Sequence, residues 1–154
     1  MKTAQQSENA ALTLVFVAPW ECSRAIAQLP RAPDNALVAC FIEAVDKGIS
    51  LPWHRQKLVL ILSAMRHFAD ALIAAGYRVD YRRAASYEAG LLAAAREHAV
   101  HRVVATEGRE WEMVQSLERA SALLAEIGIP LETREDRGFL ATRDEFTQIG
   151  RAHV

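Results

Sequence analysis

The stretch from His54 to Tyr81, HRQKLVLILSAMRHFADALIAAGYRVDY, decides the fold. Leu58, Ile61, Leu62, Met65, Phe68, Ala69, Leu72 and Ile73 recur at steps of three and four, the apolar face of a helix. Ser50 is placed to cap its start, and Pro52 in the first turn forfeits no helical hydrogen bond. Gly76 supplies the left-handed residue that ends it. Read from Leu51 to Ala75, this helix would run about 37 Å. Tyr77, Val79 and Tyr81 then alternate with Arg78, Asp80 and Arg82, the period of a strand. A long helix leading straight into a strand is half of a βαβ unit.

The rest of the chain repeats the pattern. Leu12 to Ala18 and Leu37 to Ile42 are short continuous apolar runs, suited to strands buried on both faces. Cys22 to Leu29 reads as a short helix and Arg31 to Asn35 as a loop. After the strand Tyr77–Arg82 come a helix over Ser86–Ala99, a strand over Arg102–Thr106, a helix over Glu110–Ile127 and a strand over Pro130–Arg134. Thr142, with Glu145 three residues on, forms a capping box that starts a last helix. Strands alternating with helices argue a parallel, doubly wound α/β sheet.

With 154 residues the chain is one domain, 51% hydrophobic and 24% charged, ordinary values for a globular protein. Its net charge of −1 gives no electrostatic footprint for nucleic acid. Cys22 and Cys40 form no metal pattern and fit a reducing, cytoplasmic setting. No apolar run approaches the roughly 20 residues of a membrane span, and the polar N-terminus lacks a signal-peptide core. Residues 1–10 read as disordered, 11–148 as the domain, and 149–154 as a non-native tail, since IGRAHV matches one reading frame of a sequencing-library adapter.

Few motifs carry chemistry. GxGxxG, GxxxxGK[ST] and GxSxG are all missing, so no dinucleotide fingerprint, phosphate cradle or hydrolase elbow is present. His98 and His101 straddle a helix end and make a poor metal pair. Arg66 and His67 read as a solvated or interdomain face, and Arg82-Arg83 as a solvated strand end. Trp20, Trp53 and Trp111 suit either stacking on a planar heterocycle or ordinary packing. Glu43 and Glu107 end strands, where a carboxylate accepts from a ring N–H or a ribityl hydroxyl or is simply solvated.

The segment KLVLILSAMRHFADALIAAGYRV, with SAMRHFA at its centre, resembles the photolyase–cryptochrome superfamily, specifically its bacterial iron–sulfur branch of photolyase-related proteins. The run from Thr106 to Trp111 resembles that family's TEPGEW segment, shifted around Gly108, and Arg134–Leu140 resembles its EDDRFL segment. Asp144-Glu145-Phe146 follows as in the family, Glu43 matches a family Glu, and His54 and Lys57 match its HHKxK run. The resemblance spans residues 12 to 148 and implies the N-terminal α/β domain, which holds a ribityl-lumazine antenna.

It also implies strand order 3-2-1-4-5, which puts a ligand crevice between strands 1 and 4, outside the carboxyl ends of the strands. Pro19 and Trp20, then Glu107, Gly108 and Arg109, would line that crevice. Glu43, Trp53, Leu58 and Trp111 complete the candidate chromophore-binding set. Where the family has GDQL after strand 1, this chain has Ala18-Pro19-Trp20-Glu21, and the Trp20 ring is large enough to fill the pocket. Lys47, Ser50 and Trp53 replace a family Glu, Tyr and His. FAD, the electron-transfer tryptophans and the four-cysteine iron–sulfur cluster belong to a C-terminal helical domain outside this sequence. That domain is the expected partner, and DNA is reached only through the full-length parent. The chain alone is expected to be photochemically inactive, because the flavin does that chemistry. The competing readings are a generic doubly wound small-molecule module and an interdomain scaffold whose pocket has closed.

Overall fold

A computed structural model describes residues 11–50, 52–139 and 141–151, so the expected disorder of residues 1–10 lies outside the described residues. Five strands form one wholly parallel sheet: β1 (Thr13–Phe16), β2 (Leu37–Ala44), β3 (Arg78–Ala84), β4 (Arg102–Thr106) and β5 (Leu131–Arg134). Their order is β3-β2-β1-β4-β5, as expected. Among them run α1 (Val45–Ile49), α2 (Arg55–Ala74), α3 (Tyr87–Glu97) and α4 (Trp111–Ala125), with α5 (Arg143–Arg151) after β5.

The central strand shows why two layers of helix are needed. β1 is buried along its whole length. Leu14 and Phe16 face one core with Val38, Cys40, Ile42, Leu91, Val103 and Leu124. Val15 and Val17 face the other with Phe41, Met65, Ala69, Leu72 and Val104. Alternate residues thus enter opposite cores, the period of two that a strand imposes. On the first side Gly90 lets α3 lie against β2, because a Cβ there would come within 2.8 Å of the Ile42 side chain.

Three local expectations are corrected. The long helix begins at Arg55, not Leu51: His54 Nδ1 accepts from the Gln56 N–H at 3.2 Å and caps it. Ser50 instead closes the short α1, its N–H bonding Asp46 O at 2.9 Å. The strand after Gly76 runs two residues further than read, to Ala84, because β2 pairs with it along its full length. Cys22–Leu29 is not a helix; one turn forms at Ser23–Ala27 and stops. Its ends are held elsewhere, by the buried carboxyl of Glu21 and by Gln28 Nε2 donating to Glu135 O at 2.8 Å.

The face of α2 is narrower than its apolar residues suggest. Met65, Ala69 and Leu72 are buried, while Ile61, Leu62 and Phe68 are half-buried against the same core. Ile73 is 55% exposed, with Val59 at 59% and Leu60 at 70%. Gly76 ends this region at φ +89°, in the left-handed conformation expected of it. The capping box at Thr142 forms, with the Glu145 N–H bonding Thr142 Oγ1 at 3.2 Å and the Thr142 N–H bonding Glu145 Oε2 at 2.7 Å. Among the described residues no helix is long and apolar enough to cross a membrane.

Candidate functional site at the carboxyl end of the sheet

The chain leaves β1 through a tight turn in which the Glu21 N–H bonds Ala18 O at 2.9 Å. That turn folds the Glu21 side chain back under the strand ends, where it is 0% exposed. Glu21 Oε2 accepts from the Ala18 N–H at 2.8 Å, and Oε1 accepts from the hydroxyl of Thr106, the last residue of β4. Glu21 therefore bridges the two strands that flank the reversal of strand order. Burial pushes its pKa up, against the lowering pull of these two hydrogen bonds and of Arg109.

Above this floor sits Arg109. Its guanidinium grips Asp136 through both carboxylate oxygens, with Nη2 to Oδ1 at 2.9 Å. The same group lies 4.8 Å from the Phe139 ring centre and 5.8 Å from that of Trp20. Asp136 also accepts from the Gly138 N–H at 2.7 Å. A side chain at Gly138 would run into the guanidinium and push Arg109 from its place, so glycine there lets the loop after β5 lie close over Arg109. Arg109's hydrogen bonds hold the Asp136 carboxyl below its ordinary range. Trp20 packs half-buried on the α3–α4 side of the core, and its buried indole N–H has no partner in the structure.

The expected residues thus fall into separate groups. Trp20 and Arg109 meet at the switch point, and Glu107 joins them through the Asp136 N–H at 3.4 Å. Glu107 also lines an open cleft of about 340 Å3 under α4, with Val114, Leu117, Glu118, Leu131 and Thr133. Glu43 turns toward α2 instead: it accepts from Tyr81 Oη at 2.6 Å and from Arg66 at 2.7–2.8 Å. Burial, with Glu43 adding to it, raises the Tyr81 pKa. Trp53 donates its indole N–H to Lys47 O at 2.8 Å, and Lys57 lies 4.1 Å from its ring centre. Leu58 is half-buried on α2. Trp111, the first residue of α4, is 73% exposed.

Sequence reading gave Glu21, Thr106, Asp136 and Phe139 no role. A carboxylate one residue beyond a buried strand's turn was the available signal for Glu21. Asp136 and Phe139 stand out only within the segment resembling EDDRFL, and their contact with Arg109 is not legible there, because only the return of the chain after β5 brings them together. The two histidines bind apart: His98 Nε2 meets Asp80 Oδ2 at 2.9 Å and His101 Nδ1 meets Leu12 O at 2.6 Å. Arg82 is held by Asp80 and Glu97 rather than solvated. No group of three or more metal-capable side chains occurs among the described residues.

A family model described as deoxyribodipyrimidine photo-lyase-related protein matches residues 15–153. A (6-4) photolyase of Agrobacterium fabrum (strain C58 / ATCC 33970) is 30% identical over 139 residues. That match covers 86% of this chain and 27% of the relative's length.

Proposed function

The chain belongs to the deoxyribodipyrimidine photolyase-related family, and from that premise we propose that it is the α/β, antenna-type domain of a light-driven flavoprotein that repairs DNA or senses blue light. One observation carries the reading: the family match, residues 15–153, takes in all five strands of the sheet of order β3-β2-β1-β4-β5 from the second half of β1 onward, switch point included. A generic doubly wound binding module is not favoured, because it predicts no such match.

The cysteines support a division of labour. An iron–sulfur cluster of the four-cysteine type needs four thiolates, and this chain has two cysteines. Cys40 is fully buried within β2, and burial raises its thiol pKa far above normal. Cys22 points its Sγ to Pro19 O at 3.4 Å, and burial raises its pKa too. On this reading FAD and the cluster are assigned to a helical partner domain, where the flavin would supply light-driven electron transfer. DNA is engaged through that full-length protein. The two unbridged cysteines support a cytoplasmic setting.

The test is to express the gene at full length and the 11–151 segment separately. The full-length protein should show flavin and iron–sulfur absorption and flavin photoreduction, and the segment only its tryptophan band. A full-length product with neither cofactor would overturn the assignment.

A further inference from the structure

An antenna ring at the switch point needs an open slot and hydrogen-bonding groups free to meet it. Around Trp20 and Arg109 the polar side chains are already engaged, and Glu107, which accepts from the Asp136 N–H at 3.4 Å, opens on the separate cleft under α4. The Arg109 guanidinium lies 5.8 Å from the Trp20 ring centre and 4.8 Å from that of Phe139, a ring 61% exposed at the outer end of the group, and Asp136 pins it from both carboxylate oxygens. Beneath, Glu21 is sealed at 0% exposure with its oxygens engaged by Ala18 and Thr106. Away from the crevice, Glu43 is taken by Arg66 and Tyr81, and the Trp53 indole by Lys47 O. The unmet group, Trp20 Nε1–H, is a buried donor.

We infer that Trp20, Arg109 and Phe139 form a plug that closes the switch-point crevice, so this domain does not take a ribityl-lumazine. Three forces hold the plug. A cation over two aromatic faces is attracted to each ring's quadrupole. The bidentate arginine–carboxylate pair fixes the guanidinium plane. Burial of the Trp20 face against the α3–α4 core removes apolar area from water. A planar ligand would have to displace all three while finding no free acceptor below. The inference deepens the reading of the chain as an antenna-type domain. Loss of FAD from the full-length protein would sink that reading and leave the plug untouched.

The probe is ribityl-lumazine, added to the chain as it stands, to Trp20→Gln and to the double variant Arg109→Ala/Asp136→Ala. The double variant removes both charges together, so no buried carboxylate is left unpaired. The unmodified chain should show no saturable binding below about 100 µM, and at least one folded variant should bind at least about tenfold tighter. Submicromolar binding by the unmodified chain overturns the plug. Absence of binding by every folded variant overturns the assignment of closure to these side chains. A second readout needs no crevice variant. In a Trp53→Phe/Trp111→Phe background the remaining Trp20 emission should be blue-shifted and resist acrylamide. Freely quenched, red-shifted emission would show an open crevice.

Discussion

Glu21 and Asp136 sit in the same crevice and push stability in opposite directions with pH. Glu21 has its folded pKa raised above the ordinary 4.5 by burial, so its charged form is penalised in the fold. The penalty is fully present above the raised folded value and is relieved as pH falls through it toward 4.5. Asp136 has its pKa held below 3.8, so it adds stability above that value and loses it as pH falls further. Between neutrality and 4.5 only the Glu21 effect operates of these two. Urea melts of the native chain and Glu21→Gln should therefore show the native chain gaining on the variant as pH falls across that window. A pH-independent difference would mean that the carboxyl is solvated. Asp136→Ala should cost about 1–3 kcal/mol at neutral pH, since it strips Arg109 and the Gly138 N–H of their acceptor.

Helix α2 separates pattern from packing. Leu72 is 1% and Met65 1% exposed, so either change to Ala should cost about 2–5 kcal/mol in denaturant melts. Leu62 is half-buried and should cost less than either. Val59→Ser and Leu60→Ser should stay within about 0.5 kcal/mol of the native chain, as exposed sites do. If Leu62→Ala proves the costliest, the helix is rotated from the face described here. In α3, Ser86 Oγ accepts from the Ala89 N–H at 3.2 Å, so Ser86→Ala should cost about 1 kcal/mol. Gly90→Ala should cost about 1–3 kcal/mol by pressing a methyl onto Ile42, and Ile42→Ala in the same chain should recover part of it.

At the scale of the whole molecule, if the chain is one domain of a longer flavoprotein as proposed, the solvent side of α2 is the candidate seat of a helical partner domain. Val59, Leu60 and Ile73 remain exposed on α2, at 59%, 70% and 55%. This chain covers 27% of the photolyase it resembles, which leaves ample chain for such a partner in that relative. Separately expressed helical domain should associate with the 11–151 segment. The pair Val59→Ser/Leu60→Ser should weaken that association at least about tenfold while leaving the melt unchanged. Equal binding by the double variant would move the interface to another surface, such as the exposed ring of Trp111.

The layered α/β architecture was legible before any coordinates. Apolar runs at strand length, one long period of three and four, and Gly76 at a helix end are local facts, and local sterics turn them into elements. The strand order drew on a family resemblance, because pairing between distant strands leaves no local trace. The start of α2 is not legible for a related reason, whereas the Ser86 and Thr142 caps are. Ser50 and His54 are both able to cap, and the side chain that does so depends on how the chain turns after β2. The crevice was the least legible part. Trp20 and Glu107 were visible as residues at strand ends, yet what they do is set by Arg109 meeting Asp136, 27 positions away in sequence. Such a contact forms only once β4 and β5 lie side by side. Composition and periodicity determine which faces are buried, since burial follows apolar area. Which polar groups satisfy one another inside a crevice is decided by the tertiary structure, because hydrogen bonds depend on distance and angle between segments the chain order does not relate.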